Sequence, residues 1–533
     1  MSKDQNRFPS SAIGWIRTKA QFTCWILNER HSLGTFTGRC YSFSLFLPLS
    51  VSTQTEWKNK FFGRFYDGYS PVLSVADPGL LKKILVKDFH LFTDRYPGSA
   101  PHRVLAKTMF FLQGQKWKRV RSLVTPTFTS HKLRCGLHLT RKCSDRVIEN
   151  LEIASVEGSD VNLKTLFAAY TLDVIARAAF GADIDTHKDP DNPFVRNVNG
   201  FFTISYWRTL LLLLFPSIAK YFEVTFTHPS SLEFFEKVTL KIIEERRRSP
   251  PGTYDDLLQH LMDAKADDEA EERDLIARTS STSSESSVDG LKEQSSQQER
   301  SKTIVDRRSS MIENKNKLSQ DEIVAQAFIF LIAGYETTAS LLTHTIYSLA
   351  INPSVQEKLF EEISSATSDF KSDEDVDYDF LQKLPYLDAV LNETLRMYSP
   401  LYRLDRTANE DYTDPDTGIK IEKGTRITIP TYAVHRDPKH YPNPDKFDPN
   451  RFLPENKSKL NPYTWLPFGQ GPRNCVGMRF ALLEAKLCMV DMVRKFQFFQ
   501  VPKTDVPLQI PKFTALFQAK RVIVGVRKRS FSQ

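Results

Sequence analysis

The sequence predicts a mainly α-helical fold with small β-sheets, and three stretches support this fold class. A capping box formed by Ser319 and Glu322 opens a long apolar helix that we expect to end at Ile351. Residues 137–245 have the pattern of several helices joined by loops. Residues 61–91 alternate and turn like a small sheet followed by a helix.

Bulk composition limits the classes of partner. The 533 residues, 41% of them apolar, suffice for one large globular domain or for several. The net charge of +8 favours acidic partners or an anionic membrane surface. No dense Lys/Arg block of the kind that binds nucleic acid is present, so no nucleic-acid partner is expected. The six cysteines are scattered without a CxxC pair, which indicates free thiols in a reducing compartment.

Two segments are expected to lie outside the folded core. Residues 1–56 contain no apolar run close to the ~20 residues that a membrane span requires, and we expect this atypical segment to be poorly ordered. Residues 264–316 combine acidic clusters with a Ser/Thr/Gln-rich tract and lack aromatic side chains, which predicts a disordered insertion. The rest of residues 57–533 is expected to form one catalytic domain.

A tryptophan and an arginine share one face of a predicted helix that begins near Gly114. Trp117 and Arg121 are four residues apart, so their side chains project from the same side. Both can donate hydrogen bonds to a carboxylate. The residues alone leave two interpretations open: a carboxylate-binding pair, or an amphipathic surface helix with a packed tryptophan.

Residues 468–480 are expected to form a turn that delivers Cys475 to the start of a helix. Gly469, Gly471 and Gly477 allow sharp turns or a close approach of the backbone to another group. A thiolate at a helix N-terminus is stabilised by the macrodipole and by free backbone N–H groups. A buried thiolate ligand for a metal can be built in this way, although a lone cysteine is more often a small buried hydrophobe.

The long helix carries polar residues in an apolar environment. Glu336 and Thr337 follow an apolar run that ends at Gly334, and buried polar groups are costly unless they are used. Thr337 is expected to donate a hydrogen bond to the carbonyl of Ala333 and to open the helix locally. Both a satisfied polar kink and an oxygen pocket with an acid–alcohol pair for proton delivery fit these residues.

Opposite charges lie three residues apart at Glu393 and Arg396, so the two side chains meet on one helical face. Apolar Val390, Leu391 and Leu395 flank the pair, which predicts that it is buried. A buried ion pair needs additional hydrogen bonds to offset its desolvation.

Two of these motifs resemble signatures of the cytochrome P450 family. The sequence Phe-Gly-x-Gly-x-Arg-x-Cys-x-Gly at residues 468–477 matches the family's haem-binding loop at each defined position. Ala-Gly-x-Glu-Thr-Thr at residues 333–338 matches its oxygen-activating signature. The resemblance covers about residues 57–527 apart from the insertion. Details such as Phe-Tyr-Asp-Gly at residues 65–68 are most similar to the microsomal branch that oxidises steroids and drugs.

The resemblance implies a role for each candidate site residue. The expected cofactor is haem b (iron protoporphyrin IX), held between the long helix and the cysteine helix, with Cys475 as the axial thiolate of the iron. Glu336 and Thr337 are expected to be catalytic as a proton relay. The residues expected to bind the haem propionates are Trp117, Arg121, Arg406 and Arg473. Phe468 and Gly477 are also expected to bind the haem.

Other positions match the family as structural residues. They are Glu393, Arg396, Arg451, His435 and Arg436. Two positions depart from the family pattern. Asn450 replaces the usual Glu beside Arg451, and Pro400 lies one residue later than in relatives, which affects the register of Arg406.

The implied activity is monooxygenation, with dioxygen and a lipophilic small molecule of the steroid, fatty acid or xenobiotic type as substrates. No nucleotide-binding glycine loop is visible, so electrons are expected from NADPH through a separate NADPH-cytochrome P450 reductase. The resemblance points to the cytoplasmic face of the endoplasmic reticulum membrane, with the Leu-rich residues 210–215 as a candidate membrane contact. Either the protein is anchored in another way or its natural N-terminus differs from this one, and we expect the second because the family pattern begins abruptly near Trp57.

Two surfaces are assigned by resemblance alone. Basic residues expected to dock the acidic reductase are Lys116, Lys118, Arg119 and Arg479. Positions expected to line the substrate space are residues 95–113, Phe328, Ala333, residues 400–404 and residues 513–517.

Two other functions remain open from the sequence. A haem-thiolate isomerase or dehydratase acting on a lipid peroxide needs the thiolate but neither a proton relay nor a reductase, and the intact Glu336 and Thr337 argue against it. A non-catalytic haem or ligand-binding protein would be expected to lack one of the motifs, and none is lost.

Overall fold

The computed structural model describes residues 62–529 apart from 68–69, 96–101, 183, 190–191, most positions between 203 and 228, 251, 265–316, 373–374 and 512–515. The described residues all belong to one compact unit. The atypical segment 1–56 and all but the first residue of the predicted insertion lie outside the described residues.

Helices dominate the described chain, as the sequence predicts. The strands are β1 (Phe62–Asp67), β2 (Ser70–Val75), β3 (Val161–Asn162), β4 (Leu404–Thr407), β5 (Tyr412–Thr413), β6 (Lys420–Ile421), β7 (Arg426–Ile429), β8 (Phe496–Phe499) and β9 (Ile523–Lys528). The α-helices are Pro78–Lys82, Arg103–Ala106, Gly114–Val124, Ser130–Glu157, Leu163–Phe180, Pro193–Phe202, Pro229–Arg248, Leu257–Asp263, Gln320–Ile351, Pro353–Ala366, Tyr378–Leu381, Pro385–Met397, Thr431–Val434, Pro454–Lys457 and Met478–Lys495.

The largest sheet joins distant parts of the chain. β1 and β2 form the hairpin that the Asp-Gly turn predicts, with Asp67 opposite Ser70. β2 pairs in parallel with β7, and β7 pairs on its other side with antiparallel β4. The sheet therefore joins the N-terminal hairpin, through β7, to the strand that carries Arg406.

The central helix (Gln320–Ile351) has the predicted bounds and the predicted capping box. The Ser319 hydroxyl accepts a hydrogen bond from the Glu322 amide at 3.3 Å, and the Glu322 carboxylate accepts one from the Ser319 amide at 2.9 Å. Among the described helices, only this one is long and apolar enough to cross a membrane, and 72% of its most apolar window is buried inside the protein. Such burial is typical of the core helix of a globular fold.

The core is built on both sides of the central helix. One apolar cluster contains its C-terminal half with the helices Ser130–Glu157, Leu163–Phe180, Pro385–Met397 and Met478–Lys495. A second cluster surrounds its N-terminal half. A Cβ at Gly334 would lie 3.0 Å from Cδ1 of Ile175, so the missing side chain lets the neighbouring helix approach closely.

The predicted Glu393–Arg396 pair is fully buried, and it has the additional hydrogen bonds that burial requires. Arg396 donates from Nε and Nη2 to the two carboxylate oxygens of Glu393 at 2.7 and 2.8 Å. It also donates to the carbonyls of His435 and Pro444, both at 2.8 Å. Arg451 lies 3.5 Å from the Glu393 carboxylate, which confirms the predicted triad. The exposed Asn450 lies outside this triad and accepts from Lys358.

His435 connects the ion pair to the segment that precedes the cysteine loop. Its Nε2 accepts a hydrogen bond from the Leu466 amide at 2.8 Å, so this nitrogen carries no proton. Burial and the adjacent Arg396 and Arg436 lower the pKa of His435 to about 3. Arg436 in turn donates to the Met397 carbonyl. His435 and Arg436 are thus structural, as the sequence predicts.

Arg396→Met should destabilise the protein strongly. The substitution leaves a carboxylate in the dry interior without its guanidinium, which costs about 3–5 kcal/mol in other proteins. Lys503→Met is the matched control, because it breaks an exposed pair with Asp160, and such pairs contribute about 0–1 kcal/mol. Denaturant titration followed by tryptophan fluorescence measures both free energies of unfolding. Equal losses in the two variants would contradict the dependence of the fold on this pair.

Glu484 should make the free energy of unfolding fall as pH rises. Its side chain is 2% exposed on the helix Met478–Lys495, its Oε1 has no hydrogen-bond partner, and burial raises its pKa well above the ordinary value. Above the unfolded pKa, only the unfolded state releases this proton, so stability is lost at about 1.4 kcal/mol per pH unit until the folded pKa is reached.

Glu484→Gln should remove this contribution. The free energy of unfolding of Glu484→Gln, relative to that of the wild type, should increase between pH 5 and pH 7. Denaturant titration of both proteins at each pH measures this difference. Glu361→Gln, on an exposed helical position, serves as the control and should show no such trend. A pH-independent difference between Glu484→Gln and the wild type would refute the assignment.

Candidate functional site

The cysteine loop is a tight turn closed by backbone hydrogen bonds. The Cys475 amide donates to the Phe468 carbonyl at 2.8 Å, and the Asn474 amide donates to the Gly471 carbonyl at 3.0 Å. Gly469 and Gly471 have positive φ values of 69° and 76°. The helix then begins at Met478, so Cys475 lies just before its N-terminus, as predicted.

Gly471 is the glycine on which the position of the loop depends. A Cβ there would lie 1.8 Å from the Leu85 carbonyl oxygen, which belongs to the turn after the first helix. A Cβ at Gly477 would meet nothing nearer than Phe128 at 3.9 Å. The contribution of Gly477 is instead its amide, which donates a hydrogen bond to the Cys475 sulfur.

Burial and the neighbouring groups shift the pKa of the Cys475 thiol in opposite directions. Burial raises the pKa of the thiol, whereas the Gly477 amide and the charges of Arg121 and Arg95 lower it. A buried thiol of this kind keeps its proton at neutral pH unless a further positive charge replaces the proton. A metal cation bound at the sulfur supplies such a charge.

Four arginines lie around Cys475, and three of them are predicted site residues. They are Arg95, Arg121, Arg406 and Arg473. Burial is the main cause that lowers the pKa of Arg95 to about 10 and the pKa values of Arg406 and Arg473 to about 9. Repulsion from neighbouring arginines in the cluster lowers these three pKa values further. Asp405 and Asp94 are the nearby carboxylates. The cluster therefore holds more positive than negative charge in a dry environment, which requires an anionic group.

Unpartnered donors identify where that anion would bind. Arg406 is 1% exposed and donates from Nη1 to the Asp405 carbonyl at 2.8 Å, while its Nε has no partner. The Nε of Arg473 is also buried without a partner. Haem carries two propionate groups, so the donors of this cluster fit the cofactor that the sequence predicts.

Arg473 and Arg121 also fix the loop to its surroundings. Arg473 donates to the carbonyls of Thr93, Phe110 and Leu112, and its guanidinium lies 4.8 Å from the Trp117 ring centroid. Arg121 donates to the backbone and side-chain oxygens of Asn474, both at 3.0 Å. 

Trp117 and Phe468 are the aromatic members of the predicted site. Trp117 is 5% exposed and packs edge-on against Phe89. Phe468 is partly buried beside Trp465 and closes the loop through its carbonyl.

One strip of the central helix carries accessible surface although the helix is otherwise buried. Ala333 is exposed, and Thr337, one turn later, is half-buried. The Thr337 hydroxyl donates to the Ala333 carbonyl at 2.6 Å, as predicted. Cys475 likewise carries accessible surface while protein encloses it. These features indicate an interior space between the central helix and the cysteine loop.

The structure separates the two members of the predicted acid–alcohol pair. Glu336 is 9% exposed, and its Oε1 accepts a hydrogen bond from the amide of Gln518. Its carboxyl group lines a small cavity beside Lys164 and His344, away from the strip that carries Thr337. Burial raises the pKa of Glu336.

Phe328 does not line the interior space as predicted. It is 1% exposed, with Phe201 and Phe235 at ring-centroid distances of 5.4 and 5.8 Å. By contrast, Phe110 and Leu401 from the other predicted lining segments are 41% and 36% exposed.

Sequence reasoning missed Gln518, and it assigned Arg95 only to the substrate-lining segment and not to the arginine cluster. Arg95 follows Asp94 in a segment without periodicity, and Gln518 lies far along the chain from the Glu336 that it contacts. Neither position has a local sequence signal, because only the folded chain brings them to the site.

Several proteins of one family are similar in sequence to this chain. The sequence model of the family described as "Cytochrome P450" matches residues 50–285 and 281–526. Cytochrome P450 3A6 of Oryctolagus cuniculus is 36% identical over 476 residues, which cover 88% of this chain and 85% of the relative. Cytochrome P450 3A29 of Sus scrofa is 36% identical over 470 residues (87% and 84%). Cytochrome P450 3A2 of Rattus norvegicus is 34% identical over 510 residues (95% and 89%).

Gly471→Ala should displace the cysteine loop, whereas Gly418→Ala should not. Both glycines have positive φ, so both substitutions incur left-handed strain of about 1–2 kcal/mol. Only at Gly471 does the new methyl group collide with backbone, since nothing lies within 4 Å of a Cβ at Gly418. Overpacking adds about 1–3 kcal/mol.

The two variants are compared by denaturant titration and by the haem bound per protein. Gly471→Ala should lose more stability and should bind less haem, with Gly418→Ala close to the wild type in haem content. Full haem content in Gly471→Ala would show that the close approach to Leu85 is dispensable.

Proposed function

The chain belongs to the cytochrome P450 family, and on that premise we propose that Cys475 would supply the thiolate ligand of its haem iron and that the enzyme oxidises lipophilic small molecules. Members of this family are oxidoreductases that incorporate an oxygen atom from dioxygen into a small-molecule substrate, and this chain is such an enzyme. The observation that carries the residue assignments is the cluster of buried arginines around Cys475.

Within this proposal, the arginines hold the cofactor. Arg406 would donate its unpartnered Nε to a propionate, with Arg95, Arg121 and Arg473 supplying further positive charge. Trp117 supports the Arg473 guanidinium through its ring. When bound, haem supplies the activation of dioxygen, and the chain supplies the thiolate ligand, the orientation and the protons.

Thr337 and Glu336 are the proposed proton-handling residues. The Thr337 hydroxyl donates to the Ala333 carbonyl, which leaves its oxygen lone pairs free to accept a proton donor in the interior space. Burial raises the pKa of Glu336, so its carboxyl group would hold a proton more readily than an exposed glutamate does. Consecutive helical residues project about 100° apart. A proton would therefore pass between the two groups through water or through a change of the Glu336 rotamer.

The apolar lining of the interior space supports a lipophilic substrate. Ala333 on the central helix is exposed to the space, and the partly exposed Phe110 and Leu401 belong to the segments expected to line it. Apolar contacts dominate small-molecule sites of this kind, with few polar groups to fix orientation. Steroid, fatty acid and xenobiotic compounds all have this chemistry.

Electrons would come from NADPH through a separate reductase. Lys116, Lys118 and Arg479 are exposed on the Trp117 helix and the cysteine helix, which carry the cofactor-binding residues. Such a basic surface favours an acidic flavoprotein partner. Arg119 is already paired with Glu322, so we assign it to the central helix rather than to docking.

A membrane surface is the proposed location, of the microsomal type found at the endoplasmic reticulum. Large apolar side chains are exposed in the segment that follows Phe202: Trp207 (74%), Phe215 (51%), Ile218 (47%), Tyr221 (83%) and Phe222 (69%). Aromatic side chains of this kind favour the interface between water and lipid. Contact there would also place the substrate space next to a lipophilic phase.

Cys475→Ser should abolish the thiolate signature of the haem. The reduced wild type with carbon monoxide should show the long-wavelength Soret band of thiolate ligation, and the hydroxyl of serine is a poor replacement for that ligand. Cys135→Ser, at an exposed free cysteine, is the control and should retain the band. An imidazole-type band in the folded wild type would overturn the assignment of Cys475.

The activity itself is tested by incubating the wild type with reductase, NADPH and a panel of lipophilic compounds. Products that gain one oxygen atom, labelled when the gas is isotopic dioxygen, are expected. Turnover of lipid peroxides that does not require reductase, without such products, would instead favour an isomerase or dehydratase.

A further inference from the structure

A small, partly open cavity lies beside Glu336, and Thr337 is not among the residues that line it. Its polar lining consists of Lys164, Glu336, Ser340, Thr343, His344 and Gln518. Its volume of about 10 Å³ is at the lower limit of what one water molecule occupies. A cavity of this size with several polar groups is suited to a single ordered water rather than to an organic ligand.

The hydrogen bonds of His344 determine which of its nitrogens faces this cavity as an acceptor. Nδ1 lies 2.7 Å from the Ser340 carbonyl oxygen, so Nδ1 carries the proton and donates it. Nε2 is buried and has no partner among the described residues. The side chain is 1% exposed and stacks on Tyr398 with ring centroids 4.7 Å apart, which fixes the imidazole plane.

His344 is neutral in these surroundings. Burial, with a smaller contribution from the charge of Lys164, lowers its pKa to about 4. The lone pair of Nε2 is therefore available at neutral pH, and a buried acceptor of this kind is costly to leave unsatisfied. A water molecule is small enough for the space and can donate to this nitrogen.

Glu336 has one protein hydrogen bond and one oxygen left over. Gln518 donates to Oε1, and no hydrogen bond from the described residues reaches Oε2. The charged or titratable groups that face this carboxyl are Lys164 on the helix Leu163–Phe180, with Tyr335 and His344 on its own helix.

We propose that this cavity binds one water molecule, which His344 holds by Nε2 and thereby orients toward the second carboxyl oxygen of Glu336. The water donates one O–H to Nε2 and the other to Oε2, and it accepts a hydrogen bond from the ammonium group of Lys164. These three bonds are the usual number for a buried water. His344 touches neither substrate nor cofactor, so it is a positioning residue.

The site completes a proton path, and this part rests on the proposed monooxygenase function. After Glu336 has given up its proton toward the Thr337 side, the carboxylate takes a proton from the water. The water takes one from Lys164, and half-exposed Lys164 regains one from solvent. Each group returns to its starting state, with the net transfer of one proton from solvent to the interior.

The test compares the holoenzyme with its His344→Phe and His344→Gln variants. Phenylalanine keeps the stacking on Tyr398 but has no acceptor, whereas glutamine restores an acceptor oxygen. High-resolution crystal structures should show an ordered water within hydrogen-bond distance of Nε2 in the wild type, none at that position in His344→Phe, and its return in His344→Gln.

The functional readout is the fraction of consumed NADPH that yields oxygenated product. This fraction should fall roughly fivefold in His344→Phe, the factor that one neutral hydrogen bond contributes, with a larger effect of D₂O on the rate. It should recover in His344→Gln, while the carbon monoxide spectrum stays that of the wild type in both variants.

A wild-type crystal structure without the water, or a His344→Phe variant with unchanged coupling and unchanged D₂O effect, would overturn the proposal. If the water is present but the wild type shows no reductase-dependent oxygenation, the proposed function fails and the relay fails with it. The two failures are distinguishable because the crystallographic result does not depend on turnover.

Discussion

Buried positive charge is the constraint on which this structure depends. Four arginines gather around Cys475, and burial together with their mutual repulsion lowers their pKa values. A folded protein tolerates such a cluster only where an anion offsets it or where backbone oxygens accept its donors. Arg473 uses three carbonyls in this way, whereas the buried Nε of Arg406 has no acceptor among the described residues. Two of these arginines, Arg121 and Arg95, lower the pKa of the Cys475 thiol against the effect of burial.

Several buried contacts hold the cysteine loop in place. The Glu393–Arg396 pair, with Arg451 and His435, ties together segments that come just before the loop. Gly471 then lets the loop lie against the Leu85 carbonyl. The buried ion pair and the close approach at Gly471 therefore fix the position of the loop that carries Cys475, the proposed ligand of the iron.

Two faces of the central helix border two different spaces. Ala333 and Thr337 border the interior space, whereas Glu336 and His344 border a polar cavity next to Lys164. In the proposed mechanism, this arrangement would keep the acid that supplies protons apart from the lipophilic site, with one step between adjacent residues of the helix.

Local sequence determined the elements and most of the chemistry. The capping box at Ser319 set the start of the central helix, the Asp-Gly turn set the first hairpin, and the loop around Cys475 carried the cofactor prediction, because each depends on residues close together in the chain. Tertiary structure alone decided that Arg95 joins the arginine cluster, that Phe328 is buried under Phe201, and that Glu336 contacts Gln518 rather than the Thr337 strip. The physical reason is that burial and electrostatic interaction depend on distance in space, and residues far apart in sequence leave no periodic or local signal of the neighbours they will have.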